Sequence, residues 1–510
     1  MTRIWSAQQQ AIFAWFAKAV GNLVVRARAG TGKSTTLLEG VNQVPGDQHV
    51  LVAAFSKRIQ VELAAKVTNP NVEVLTLHAL GARTVRRYWE KIGVDTRGKR
   101  ADDLAEKVCG VSAPDAIKRL VSKLGTKARE LAPLATCGAD LVDIAQQFDC
   151  VPDDEWKVDG FTEAWVCERA YRTLDLAATT KPTATGIDYA DMLFLPIRNK
   201  WLRPIYDGVV VDEAQDMTLV QLLLAQGVCK GWFAVVGDDR QAIFAFRGAD
   251  SGSLDRLKAE LQATELGLTT TYRCGRAIVD AAKVIVPDYE AGPNNPEGEI
   301  TTATEAQLFE RVRPGDFILS RTNAPLVSIA LGLVRRGKRA KIEGRDIGAG
   351  LRSIVNKLAT GPAKNSIPQL LKKLDIWKAR EVARAEAAKL DHKVEAICDQ
   401  HETLVALTDG VTGIQELLAR LENLFASDVA DAPEQIVCSS VHRSKGLEAD
   451  QVWVLEKTLH PPVSCEKCRR RPKGCKCPDG YTPDPLAERE ESNIKYVAIT
   501  RAKSSLVWVN

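Results

Sequence analysis

The feature that most constrains this chain is the run Ala29-Gly30-Thr31-Gly32-Lys33-Ser34, set between an apolar segment Leu23 to Val25 and a second apolar run Val50 to Ala54. Short apolar runs flanking a helical stretch read as a βαβ unit, which commits the chain to a parallel sheet with this loop at the carboxyl end of its first strand. Glycines let backbone N–H groups approach phosphate oxygens, Lys33 adds a cation, and Ser34 offers a hydroxyl to magnesium. Ala27 stands where the first glycine of such loops is usual, and a plain Gly-rich turn is the competing reading.

Two further apolar runs end in acid. Gly208-Val209-Val210-Val211 leads into Asp212-Glu213, and Trp232 to Val236 leads into Gly237-Asp238. Open α/β sheets bind ligands at the carboxyl ends of their strands, so the loop and these carboxylates converge although far apart in sequence. In that setting Asp212 holds magnesium and Glu213 orients and deprotonates the attacking water; the bland reading is a solvated acidic helix start.

At 510 residues the chain exceeds one ordinary domain, and three or four are expected. Residues 82–183 are charged and helical in pattern, broken at Pro114, Pro133, Pro152 and Pro182. The α/β pattern resumes near 269, with strands near Asp316 to Ser320, Ala340 to Ile342, Gln435 to Ser439 and Gln451 to Leu455. A Leu/Ala/Lys/Glu-rich helical stretch over 346–431 interrupts it. The expected division is therefore 1–81 with 184–268 as a first sheet domain, 82–183 as its helical insertion, 269–345 with 432–510 as a second sheet domain carrying a Cys-rich loop at 460–480, and 346–431 as a second helical insertion.

Hydrophobic content of 45% and charged content of 26% are those of a soluble globular chain and argue against disorder. A net charge of +4 leaves any nucleic-acid surface to a local patch. No signal-type apolar run and no stretch of about eighteen apolar residues is found, which sets the expectation of a cytoplasmic compartment and no membrane partner.

From Gln9 to Arg501 these segments, in their order, resemble the motifs of superfamily 1 helicases of the UvrD/Rep type. Ser6-Ala7-Gln8-Gln9-Gln10 is similar to the adenine-reading Q motif, residues 27–34 to motif I, and Asp212-Glu213-Ala214-Gln215-Asp216 to motif II. The longest match is Val236-Gly237-Asp238-Asp239-Arg240-Gln241-Ala242-Ile243-Phe244-Ala245-Phe246-Arg247-Gly248-Ala249, which resembles motif III. Thr271-Tyr272-Arg273 resembles motif IV, Ser440 to Glu448 motif V, and Tyr496-Val497-Ala498-Ile499-Thr500-Arg501-Ala502 motif VI. Ala54-Phe55-Ser56-Lys57 and Thr76-Leu77-His78 are weaker matches to DNA-contacting motifs, and Thr35 and Ser440 depart from the family's usual residues.

The resemblance implies an α/β fold of two RecA-like parallel-sheet motor domains, each interrupted by a mainly helical insertion. It implies ATP and Mg2+, with Gln9, Ala29, Gly30, Thr31, Gly32, Lys33, Ser34, Thr35, Tyr272, Arg273, Glu448 and Arg501 around the nucleotide and Ser34 and Asp212 on magnesium. Lys33, Asp212, Glu213, Gln241, Arg273 and Arg501 would do the chemistry, Arg501 as arginine finger, and Phe55, His78, Phe244, Phe246, Arg247 and His442 would face DNA. It further implies a translocase and 3′–5′ helicase on single-stranded DNA and single/double-strand junctions. The alternative is a DNA-activated ATPase subunit of a repair or defence complex, working with a nuclease or repair factor. A dead binding module conflicts with the intact set of charged residues, and no nuclease motif accompanies them.

Of twelve cysteines, eight are scattered while Cys465, Cys468, Cys475 and Cys477 fall within thirteen residues, interleaved with Lys467, Arg469, Arg470, Arg471, Lys473 and Lys476. Four thiolates suffice for a tetrahedral zinc ion, although the Cys-x-Cys arm is less usual than a second Cys-x2-Cys, and a reduced, solvated loop is the alternative.

Overall fold

The computed structural model describes residues 4–510 apart from 55, 149, 153–158, 184, 244–252, 388–390, 426–434, 460, 462, 464, 468–471, 473, 474, 476 and 479. The chain divides into two compact units. One comprises Met1–Ala27, Gly32–Asp239 and Phe244–Leu268, and the other Arg28–Thr31, Arg240–Ile243 and Thr269–Asn510.

The first unit is built on β1 (Leu23–Ala27), β2 (Val50–Ala54), β3 (Val72–Thr76), β4 (Tyr206–Val211), β5 (Cys229–Gly237) and β6 (Thr264–Leu268), in the order β3-β2-β4-β5-β1-β6. All pairings are parallel, and β1 lies between β5, with Val25 opposite Val236, and β6, with Val25 opposite Leu266. A parallel sheet is covered on both faces, which explains its valine-rich strands. Leu23, Val25, Val52 and Val210 enter one core with Ile12, Phe16 and Leu37, while Val24, Leu51, Val209 and Val235 enter the opposite core with Leu80, Val220 and Leu224.

Between β3 and β4 the chain is helical, with a core of its own formed by Leu104, Ile117, Val121, Leu124, Val166 and Leu174. The helix Leu77–Tyr88 runs through the expected boundary at residue 82. Its Leu77 and Leu80 pack on the sheet, and its Ala82 and Val85 on the helical core. Inside that core the Arg129 guanidinium donates to Asp188 at 3.0 and 2.8 Å and also pairs with Asp191, which Arg100 reaches at 3.1 Å. Removing one partner from such a buried network leaves an uncompensated charge and costs about 3–5 kcal/mol.

The second unit contains the small parallel pair β7 (Thr270–Thr271) and β8 (Glu290–Ala291), and a six-stranded sheet. That sheet has β9 (Glu299–Ala303), β10 (Phe317–Ser320), β11 (Ala340–Ile342), β12 (Ile436–Ser440), β13 (Ala449–Leu455) and β14 (Ala502–Val509) in the order β11-β12-β10-β13-β14-β9, again wholly parallel. Among the described residues of the helices of 345–424, Leu351, Leu370, Leu404 and Leu417 join Ile318, Leu326 and Trp453 in one cluster on a face of this sheet. The helices Arg276–Lys283 and Pro485–Ile499 pack against β14. Among the described residues no helix is long and apolar enough to cross a membrane.

Candidate functional site

In the first unit the carboxyl ends of β1, β4 and β5 carry the residues that the sequence pointed to. The helix Lys33–Asn42 starts on Gly32 at φ +79°, and no side chain caps it, so its first-turn N–H groups remain available to an anion. Lys33, on its first turn, meets Glu213 at 2.6 Å and stands 4.0 Å from Asp212, both delivered by β4. Burial alone would lower the Lys33 pKa, but Glu213 and Asp212 outweigh it and hold the ammonium above its usual range. Burial is also the main influence on Asp212, pushing its carboxyl up to about 6.

Asp212 uses one oxygen to accept from the Glu213 N–H at 2.9 Å, while its buried Oδ2 has no hydrogen-bond partner among the described residues. An orphaned buried carboxylate oxygen beside a lysine and an uncapped helix fits a divalent cation held against phosphate, and the exposed Ser34 on the first turn supplies a hydroxyl. Glu213 adopts φ +54°, a left-handed conformation that costs a non-glycine residue about 1 kcal/mol or more and persists where surroundings enforce it.

The enforcing residue is one that sequence reasoning quoted but gave no role. Gln215 is fully buried, donates Nε2 to Glu213 Oε2 at 2.6 Å and accepts from the Asp238 N–H at 3.1 Å, tying the ends of β4 and β5. A Cβ on Gly237 would lie 2.5 Å from Gln215 Oε1, so glycine is what allows this approach. Arg26 was also missed: it holds the buried Asp239 at 2.9 Å while pairing with Asp255 and Glu265. Gln9 closes a capping box with Ser6 and donates Nε2 to Thr36 Oγ1 at 3.0 Å, placing the Q-motif amide one turn from Lys33. Thr35 is half-buried on the same turn. His78 packs edge-on against Tyr189 at 5.9 Å, and burial pushes its imidazole below the ordinary range.

In the second unit, the segment Arg28–Thr31 is clamped by aromatic hydroxyls. Tyr496 Oη accepts from the Ala29 N–H at 3.0 Å and Tyr289 Oη donates to the Ala29 carbonyl at 2.9 Å. The Tyr272 N–H donates to the Gly30 carbonyl at 2.9 Å, and Arg28 forms a two-pronged pair with Asp288. The Tyr272 ring is half-exposed, as stacking on a base requires.

Arg273 pairs with Glu448 at 2.5 Å, and Lys503 holds the other Glu448 oxygen at 3.0 Å. Against the upward pull of partial burial, these cations keep that carboxyl below its usual range. Glu448, expected beside a ribose, is thus engaged by two cations. Arg501 is buried and pairs with no carboxylate among the described residues: it donates to the Val497 and Leu447 carbonyls at 3.0 Å each and to Thr500 Oγ1 at 3.3 Å. Burial and the neighbouring Arg273 lower its pKa to about 10.

The Gln241 carbonyl accepts from Lys445 at 2.6 Å, and the Ala242 carbonyl from buried Asn493 at 3.1 Å. His442 sits half-buried in the turn after β12. Phe55, Phe244, Phe246, Arg247 and Cys468 lie outside the described residues.

Residues 5–262 match the UvrD/REP helicase N-terminal domain, and residues 364–509 match the UvrD-like helicase C-terminal domain. The chain is similar to F-box DNA helicase 1 of Gallus gallus, 28% identical over 335 residues, which is 59% of this chain and 29% of that protein. It is similar to F-box DNA helicase protein 1 of Schizosaccharomyces pombe, 24% identical over 534 residues, covering 95% of this chain and 55% of the relative. ATP-dependent DNA helicase UvrD2 of Mycobacterium tuberculosis is 23% identical over 561 residues, 95% of this chain and 76% of the relative. The chain therefore covers less than two thirds of either F-box relative.

Proposed function

The chain belongs to the UvrD/Rep helicase family, and from this footing we propose that it is an ATP-driven motor that moves along single-stranded DNA and separates strands in the 3′ to 5′ direction. One observation carries the reading: Lys33, Asp212 and Glu213, some 180 residues apart, meet at one end of one sheet, with an unpartnered buried Asp212 oxygen among them. Nothing in a merely structural ion pair requires that oxygen to be left unsatisfied.

In this mechanism the Lys33–Asn42 amino end and the Lys33 ammonium hold the phosphates, while Ser34 and Asp212 would hold magnesium, which would supply further positive charge to the triphosphate. Glu213, kept in place by Gln215, accepts the proton of the attacking water. Gln241, Arg273 and Arg501 supply donors to the γ-phosphate as it gathers negative charge, so hydrolysis depends on residues from both halves of the chain. Tyr272 stacks on the adenine and Gln9 reads its edge. Phe55, Phe244, Phe246 and Arg247, with His78 and His442, grip the DNA without reading sequence, each stacked base contributing roughly 1–3 kcal/mol.

A second reading is a DNA-activated ATPase subunit that serves a nuclease or repair factor without processive unwinding. It is favoured by the helices of 345–424, whose described apolar residues share the core of their sheet. ATP hydrolysis with and without single-stranded DNA, followed by unwinding of duplexes bearing 3′ or 5′ tails, separates the two, with Lys33→Ala as the inactive control. DNA-stimulated hydrolysis with unwinding from 3′ tails is expected. Stimulated hydrolysis without unwinding selects the second reading, and hydrolysis surviving in Lys33→Ala removes both.

A further inference from the structure

The loop between β13 and the helix Pro485–Ile499 carries a thiol cluster that the motor chemistry does not use. Cys465, Cys475 and Cys477 bring their Sγ atoms within 4.8 Å of one another, Cys465 fully buried and the others half-buried. Cys465 and Cys477 are 3.8 Å apart, far beyond a disulfide bond of about 2.05 Å. A tetrahedral ion with Zn–S distances of about 2.3 Å sets its sulfurs about 3.8 Å apart, so the spacing is that of ligands around a common centre.

Several described backbone groups beside the thiols are tied by hydrogen bonds. Cys465 bridges antiparallel to Pro483, the Glu466 N–H donates to the Thr482 carbonyl at 2.9 Å, and the Gly480 N–H to the Cys477 carbonyl at 3.0 Å. The two arms end at Asp484, which caps the helix Pro485–Ile499 through the Leu486 N–H at 3.0 Å. That helix carries Asn493 and Tyr496 and leads directly to Arg501.

We propose that Cys465, Cys475 and Cys477 bind one zinc ion as thiolates, closing the 463–484 loop and fixing the start of the helix that delivers Tyr496 and Arg501. Cys468, the remaining cysteine of this stretch, lies outside the described residues. Each thiol gives up its proton on binding, and three thiolates around Zn2+ leave one net negative charge. Lys467, Arg469, Arg470, Arg471, Lys473 and Lys476, within the same stretch, offset that charge. The proposal stands independently of the motor reading.

Metal analysis of the purified full chain tests it directly, with about one zinc per chain expected. Cobalt substitution should give the thiolate charge-transfer and tetrahedral d–d bands, and both Cys465→Ser and Cys477→Ser should lose most of the metal. Cys477, half-buried, provides a variant that keeps the fully buried Cys465 side chain itself in place. Chelation should open the loop to trypsin between Lys467 and Lys476. Zinc well below about 0.2 per chain after growth in zinc with no cobalt spectrum, or unchanged metal content in both serine variants, overturns the site. An unchanged tryptic pattern on chelation overturns its role in closing the loop.

Discussion

Replacing Gln215 by Leu removes a buried amide that makes two bonds, one to the Glu213 carboxylate at 2.6 Å and one from the Asp238 N–H at 3.1 Å. A hydrogen bond to a charged group contributes about 1.5–3 kcal/mol, and a buried N–H left without an acceptor costs about 1–3 kcal/mol. The variant should thus lose roughly 2.5–6 kcal/mol of stability, read as a lowered melting transition. Glu213 keeps its 2.6 Å contact with Lys33, so its orientation is loosened and not abolished. Single-turnover hydrolysis should slow by about tenfold to a hundredfold, or about 1.4–2.8 kcal/mol, with Mg-ATP affinity little changed.

Gln215→Glu separates positioning from packing. It places a second carboxyl against Glu213, and of two such groups one is held protonated well above the ordinary range. While protonated, the introduced carboxyl still donates to Glu213; as pH rises through that elevated pKa the donor is lost. The rate of Gln215→Glu relative to wild type should therefore fall with increasing pH. Wild-type hydrolysis in Gln215→Leu, or a pH-independent ratio in Gln215→Glu, would refute the assignment.

Two further outcomes follow from the same geometry. With the Asp212 carboxyl raised to about 6, protons compete with magnesium on the acid side, so the Kd for Mg-ATP should weaken by about fourfold from pH 7.5 to pH 5.5, measured by calorimetric titration; a flat profile would contradict the burial argument. Gly30→Ala puts a Cβ at φ +70° and 2.5 Å from both Arg273 Cβ and Thr271 Oγ1, so the variant should lose at least about 2 kcal/mol of stability and most of its nucleotide affinity, while unchanged melting and binding would show that the loop yields freely.

Much of this was legible because central parallel strands are covered on both faces and read as valine runs. The expected strands at 208–211 and 232–236 appear as Tyr206–Val211 and Cys229–Gly237. Of the unforeseen strands, β3, β6 and β9 are edges of the large sheets: each has one neighbour, and Glu73, Glu265 and Glu299 dilute their apolar pattern. The run Leu506 to Val509 in β14 was signal enough to be found, but it follows so closely on Arg501 that the motif overshadowed it.

At the site, the meeting of Lys33 with Asp212 and Glu213 followed from the rule that ligands gather at strand carboxyl ends. The role of Gln215 did not, because it depends on the left-handed turn at Glu213 and on Gly237 leaving room for an amide. The clamp of Tyr289 and Tyr496 on Ala29 joins segments with no shared pattern in sequence.

The central claim is that hydrolysis needs an arginine from the second half of the chain, and Arg501 is the residue that tests it. Holding its guanidinium charged while buried, with a pKa lowered to about 10, costs the fold about 3 kcal/mol. Its removal relieves that cost while orphaning the Leu447 and Val497 carbonyls, so Arg501→Ala should remain folded. The decisive measurement is single-turnover hydrolysis of pre-bound Mg-ATP by Arg501→Ala in the presence of single-stranded DNA. A loss of about a thousandfold or more, with nucleotide still bound, is the predicted result; a rate within about tenfold of wild type contradicts it.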